Sequence, residues 1–120
     1  MTVNPPKPYK EERPWGDFVE FTKDEKTTVK IVTVRAREAL SLQSHSSRDE
    51  FWHVLSGEGK VEIDTKTEDV VPGKEFFIPR RTKHRLSAGD TPLSVLEIAF
   101  GDFDESDITR FDDRYGRTQT

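Results

Sequence analysis

The sequence predicts an all-β barrel or sandwich, and three observations carry that expectation. Short apolar runs recur with period two, most cleanly in Lys60-Val61-Glu62-Ile63-Asp64. Turn-forming residues punctuate them at Gly57, Gly59, Gly73 and Pro79. The chain is also polar, with 35% charged residues and a mean hydropathy of -0.79. A barrel accommodates this, because mainly its inner face needs apolar side chains.

Taken in order, residues 1–12 carry Pro5, Pro6 and Pro8 among charges and read as an extended arm rather than a helix. Residues 13–120 show no composition break, repeat or long linker, so they read as one domain. From Phe18 to Phe100 the chain reads as short strands. Val29, Ile31 and Thr33 alternate with Lys30 and Val32. Leu40-Ser41-Leu42 leads into Gln43-Ser44-His45, and Phe51-Trp52-His53-Val54-Leu55 stops at the glycine turn. Glu75-Phe76-Phe77-Ile78 ends at Pro79, and Leu93 to Phe100 forms a last, more apolar strand. Near the end, Asp104 is expected to cap a short C-terminal helix with Asp107 in its first turn. Ile108 and Phe111 would then share one face, packed on the barrel.

Composition narrows the partners. A net charge of -4 and a pI near 5.4 give no general attraction to nucleic acid or anionic membrane. No apolar run reaches the ~18 residues of a spanning helix. Met1-Thr2-Val3-Asn4-Pro5-Pro6 has no apolar core of a secretory signal. Cysteine is absent, which excludes thiolate ligands and fits a reducing cytoplasm.

Four residues are spaced like a metal cage: Gln43, His45, Glu50 and His84. On a strand, positions i and i+2 face the same way, so Gln43 and His45 converge. Glu50 follows a short polar loop, and His84 follows the Gly73 and Pro79 segment. Neutral imidazoles, a carboxylate and an amide oxygen make a mixed N/O set suited to one divalent ion, Zn²⁺, Fe²⁺, Mn²⁺, Co²⁺ or Ni²⁺. A lone strand histidine is ordinarily a hydrogen-bonded or surface residue; four donors at this spacing favour metal. If Glu50 and Trp52 face inward, Phe51 and His53 face outward, so His53 stays outside the shell. Arg80 to Arg85 is the most basic segment, and a phosphate ester needs such donors near the mouth of its site.

His45-x4-Glu50-x6-Gly57 and Gly73-x5-Pro79-x4-His84 resemble the two sequence motifs of the cupins. Gln43-x-His45, where cupins usually carry His-x-His, narrows the resemblance to type II mannose-6-phosphate isomerases. Those are often the C-terminal domain of a longer enzyme with mannose-1-phosphate guanylyltransferase activity. Arg13-Pro14-Trp15-Gly16, Lys83-His84-Arg85-Leu86, and Arg110-Phe111 through Tyr115-Gly116-Arg117 extend it over nearly the whole chain. The resemblance implies a double-stranded β-helix, or jelly-roll barrel. It also implies a divalent metal, zinc first, and interconversion of mannose 6-phosphate and fructose 6-phosphate in polysaccharide biosynthesis. Glu97 matches a family glutamate and is a candidate acid/base; a salt-bridge partner, or a residue that supports a metal ligand from behind, is the equal alternative. Arg48, Lys83, Arg85, Arg110 and Arg117 match family positions and are candidate phosphate ligands.

The chain also departs from the type II pattern. Ser46, Ser47 and Phe51 stand where histidines are usual, and Ala99 replaces a glutamine. These departures keep a non-catalytic cupin that binds a sugar or sugar phosphate as the alternative. Gln43 disfavours a third option, an iron oxygenase on the same barrel. No glycine-rich nucleotide loop occurs, so guanylyl transfer is not expected of these residues. Strand edges that need covering, together with the arm, lead to the expectation of a homodimer.

Overall fold

The computed structural model describes residues 5–118. Strands β1 (Tyr9–Arg13) and β2 (Gly16–Glu20) form a hairpin of their own. A four-stranded sheet runs in the order β3 (Thr27–Val34), β10 (Leu93–Gly101), β5 (Arg48–Ser56), β8 (Glu75–Ile78). A five-stranded sheet runs β11 (Thr109–Asp112), β4 (Leu42–Ser44), β9 (His84–Ala88), β6 (Gly59–Ile63), β7 (Lys66–Val70). The pairings within both sheets are antiparallel. This is the all-β cupin barrel.

Alternation along β5 shows why these residues build it. Glu50, Trp52 and Val54 point between the sheets and are almost fully buried. There they meet Val34, Val61, Val70, Phe76, Ile78, Leu86, Leu93 and Val95. That core fills one end of the barrel, and the polar residues of β4, β5 and β9 gather at the other. Two glycines permit the close approach at the β5–β6 turn. A Cβ on Gly57, whose φ is 87°, would lie 2.1 Å from the Pro92 carbonyl oxygen, and one on Gly59 would lie 2.0 Å from that of Ser87.

Two expectations need correction. Among the described residues there is no helix, so the short C-terminal helix is absent. Asp104 does cap, but it caps a turn: its carboxylate accepts from the Ser106 amide at 2.9 Å and the Ser106 hydroxyl at 2.8 Å. The chain then enters β11, whose Thr109-Arg110-Phe111 run pairs with β4. A β-branched and aromatic run prefers that ladder to a helical turn. Ile108 lines the central pocket and Phe111 is exposed, so they share no packed face. In β3 the inward residues are Lys30 and Val32, while Val29 and Ile31 lie outside, 54% and 65% exposed.

No helix is long and apolar enough to cross a membrane among the described residues. The molecule is elongated, 52 × 37 × 23 Å. Its radius of gyration of 15.0 Å exceeds the ~13.6 Å typical of this length, because the hairpin projects from the barrel.

Candidate metal centre

His45, Glu50 and His84 come together at the polar end of the barrel, their donor atoms all within 4.8 Å of one another. Three elements deliver them: the end of β4, the inward face of β5 and the start of β9. His45 Nε2 lies 3.6 Å from Glu50 Oε2, and His84 Nε2 lies 3.6 Å from Glu50 Oε1. All three residues are buried.

The histidine tautomers follow from the backbone. His45 Nδ1 lies 2.7 Å from the Asp107 carbonyl oxygen, and His84 Nδ1 lies 2.9 Å from that of Thr82. A carbonyl only accepts, so each Nδ1 carries the proton and each Nε2 presents a lone pair. Two imidazole lone pairs thus converge on one carboxylate, a set of acceptors that a cation satisfies. Burial pushes His84 below the usual imidazole range, against the pull of the Glu50 charge, which keeps the ring neutral and able to ligate.

Arg48 supplies the positive charge in this arrangement. Its Nε donates to Glu50 Oε2 at 3.0 Å, and its Nη2 lies 3.3 Å from His45 Nε2. The guanidinium stacks 4.3 Å over the Phe103 ring. Gln43 sits opposite His84 in the β4–β9 ladder and lines the same cavity. Its Nε2 donates to the Ser41 carbonyl at 3.4 Å, leaving Oε1 as the amide atom able to ligate.

The cavity has a volume of about 210 Å³, and Lys30, Glu97, Glu105, Arg110 and Arg117 form its remaining polar wall. Glu97 faces Trp52 across one ladder and Lys30 across the other. Burial, reinforced by the Glu50 charge, pushes its carboxyl up to about 7. Arg110 Nε is buried with no hydrogen-bond partner. Arg117 is held by Asp113, with Nε to Oδ2 at 2.9 Å.

Lys83 and Arg85 do not enter the cavity. The Lys83 ammonium sits 4.2 Å over the Phe111 ring. Arg85 donates to the Leu40 and Asp112 carbonyls and to the Asp112 carboxylate on the outside of the sheet. Strand alternation is the reason: with His84 inward, its neighbours on either side face out. His53 likewise faces out, 2.8 Å from Glu75 Oε2.

Three contributors escaped the sequence reading. Lys30 stood in the β3 alternation with no role assigned, and it lines the cavity. Glu105 pairs with Lys30 at the cavity rim, and that hydrogen bond holds its carboxyl below the usual range. Asp107 anchors the loop that carries His45. Its carboxylate accepts from the Ser46 and Ser47 amides at 2.8 and 2.9 Å, while its carbonyl orients the His45 ring. Burial alone would raise the Asp107 carboxyl; those two amides outweigh it and leave it below its usual range.

Comparison with known proteins gives the chain its relatives. The chain is 36% identical over 107 residues to mannose-1-phosphate guanylyltransferase ManC of Salmonella typhimurium, covering 88% of this chain and 22% of that protein. It is 39% identical over 108 residues to the alginate biosynthesis protein AlgA of Pseudomonas aeruginosa, covering 88% and 22%. The chain thus spans under a quarter of the length of these relatives. Solved structures share the fold at low identity. Oxalate decarboxylase of Bacillus subtilis superposes with a TM-score of 0.66 at 18% identity, over 72% of this chain and 24% of that one. The DMSP lyase DddQ of Ruegeria pomeroyi gives 0.64 at 21%, over 88% and 51%. The family described as mannose-6-phosphate isomerase C-terminal matches residues 7–113; the chain belongs to that family.

Proposed function

We propose that this chain is a metal-dependent isomerase interconverting mannose 6-phosphate and fructose 6-phosphate. One observation carries the proposal. Two buried imidazoles, with their Nδ1 protons committed to carbonyls, turn their Nε2 atoms toward one buried carboxylate at a cavity whose wall sets Lys30, Arg110 and Arg117 beside Glu97 and Glu105. His45, Glu50 and His84 would hold the ion, with the Gln43 amide oxygen as fourth donor. Zinc is the first choice for this N/O set, and Mn, Fe, Co and Ni also suit it. When bound, the ion would supply Lewis-acid polarisation of the sugar's carbonyl oxygen.

The chain's own residues account for the other needs of an aldose–ketose isomerase. Glu97, with its carboxyl near 7, exchanges a proton readily at neutral pH, the property required of the group that moves a proton between C1 and C2. Lys30, Arg110 and Arg117 offer cationic donors for the phosphate, and the partnerless Arg110 Nε is the donor in most need of an acceptor. Arg48 balances Glu50 from behind the Phe103 ring. Relatives named for alginate and xanthan biosynthesis support a setting in polysaccharide precursor supply. The lack of cysteine fits a cytoplasmic location.

The alternative is a non-catalytic cupin that binds a sugar phosphate, and one departure favours it. Ala99, in place of the family glutamine, stands directly opposite Glu50 in the β10–β5 ladder. The other departures fall away from the cavity: Phe51 packs outward on Phe21, and Ser46 and Ser47 meet Asp107 only through their amides. The deciding experiment strips the protein of metal, restores Zn²⁺ or Mn²⁺, and follows fructose 6-phosphate formation in a coupled assay. Metal-dependent turnover, lost together with bound metal in His84→Ala, is the expected result. Tight binding of mannose 6-phosphate without turnover by the reloaded wild type would replace the isomerase with the binding protein.

A further inference from the structure

The loop between β10 and β11 runs past the cavity, and one of its residues is held unlike its neighbours. The Phe103 ring meets two cations, Lys30 Nζ and the Arg48 guanidinium, each 4.3 Å from its centroid. The Asp104 carbonyl accepts from Arg48 Nη1 at 3.2 Å. Asp107 holds Ser46, Ser47 and the His45 ring. These contacts fix the loop to β4 and β5. Glu105 takes no part in them. Among the described residues its carboxylate is tied to the Lys30 ammonium, at the mouth of the cavity.

Lys30 is the matching exception among the cavity cations. Arg48 is committed to Glu50 and to the loop. Arg117 is gripped by the Asp113 carboxylate through its amide, Nε and Nη2 at 2.7, 2.9 and 3.0 Å. The partner of Lys30 is instead a side chain 76% exposed. Water screens such a pair, so it holds weakly. The lysine itself is firmly placed, directed inward by β3 and set over the Phe103 ring. Rotation of the Glu105 side chain alone therefore frees an ammonium inside the cavity, with no movement of the loop backbone.

Charge identifies what takes its place. Lys30 comes from the four-stranded sheet and Arg110 from the five-stranded one. An anion at the mouth can thus meet a cation from each wall. A phosphate dianion attracts an ammonium more strongly than the single charge of a carboxylate does.

We propose that Lys30 is the anion subsite of this cavity, occupied in the free protein by the Glu105 carboxylate and taken over by the phosphate dianion of an incoming sugar phosphate. Glu105 is then a tethered competitor. A phosphorylated sugar displaces it, whereas a neutral sugar leaves the pair in place and gains nothing from Lys30. The inference rests on the reading of the cavity as a sugar-phosphate site, but not on turnover.

Calorimetric titration of zinc-saturated protein with mannose 6-phosphate and with mannose tests it. Glu105→Gln keeps the side chain's shape and removes its charge. It should bind mannose 6-phosphate about three- to tenfold more tightly, the scale of releasing an exposed ion pair, and mannose within about twofold of wild type. Lys30→Met should bind mannose 6-phosphate at least about tenfold more weakly. In the Lys30→Met background, Glu105→Gln should bring no further gain, because the subsite it guarded is gone. Lys30→Arg keeps the cation and should restore the dependence on Glu105. Circular dichroism and zinc content check that each variant keeps its fold and its metal. The proposal is overturned if Glu105→Gln binds mannose 6-phosphate like wild type. It is equally overturned if the gain persists in Lys30→Met, since Glu105 would then act only through the general charge of the mouth. The expected binding pattern without fructose 6-phosphate formation would remove the isomerase and leave the subsite standing. Absence of mannose 6-phosphate binding in both wild type and Glu105→Gln would sink the subsite and the sugar-phosphate reading together.

Discussion

Replacing Glu97 with Gln in metal-free protein isolates the cost of burying a second carboxyl beside Glu50. Its carboxyl is displaced from 4.5 to about 7, chiefly by burial and then by the Glu50 charge. At about 1.4 kcal/mol per pKa unit, that displacement corresponds to about 3 kcal/mol. Residual hydration brings it nearer 2 kcal/mol. The folded state prefers protonated Glu97, so the associated stability is fully present below pH 4.5 and is lost as the pH rises through about 7. Gln keeps the shape and hydrogen-bonding reach of the protonated acid but cannot ionise. Urea unfolding of chelator-treated protein should therefore find wild type and Glu97→Gln of similar stability at pH 4.5. The variant should become more stable by about 2–3 kcal/mol at pH 8. Parallel stability curves across that range would refute the argument, because they would mean that Glu97 titrates alike in the folded and unfolded chain.

Two further outcomes follow from the placement of side chains. Asp107→Ala should weaken metal binding about tenfold to hundredfold, the usual effect of losing support behind a ligand. Calorimetric titration with Zn²⁺ reads that change, and an unchanged affinity would show that the His45 loop holds itself. Arg110→Ala should raise KM for mannose 6-phosphate about tenfold to hundredfold through loss of a charge-assisted phosphate contact. Arg85→Ala should leave KM within about twofold, since its guanidinium is spent on Leu40 and Asp112 outside the cavity. Equal effects in the two variants would place the phosphate elsewhere.

The cage was legible because its members obey rules visible in one dimension. Gln43 and His45 share a strand face at i and i+2; the short polar loop before Glu50 returns that residue to them, and the turns at Gly57, Gly73 and Pro79 return His84. The basic residues were harder, because sequence adjacency and spatial adjacency part company on a strand. Lys83 and Arg85 flank an inward histidine and so must face away from it. Lys30 was hidden for the opposite reason. Val29 and Ile31 look like the buried members of β3, yet they form an apolar outer face, and alternation then carries the lysine into the cavity. At the C-terminus Asp104 and Asp107 carry helix-start chemistry, which an Asx-type turn uses equally well. The strand-forming Thr109-Arg110-Phe111 beyond them was the signal for β11.

The Asp107 contact to His45 has a consequence for how the protein is made. Every proposed metal donor has been synthesised once residue 84 leaves the ribosome, but the cage cannot yet exist. β4 depends for its ladder on β9 and β11, and β3 depends on β10. The His45 ring is aimed only when the Asp107 carbonyl arrives. Ion uptake into the finished geometry would therefore wait until β9, β10, β11 and the Asp107 carbonyl are in place, and any metal held earlier would sit on a partial, differently shaped set of ligands. Correct loading would then be coupled to closure of the barrel, from whatever divalent ion is exchangeable at that moment.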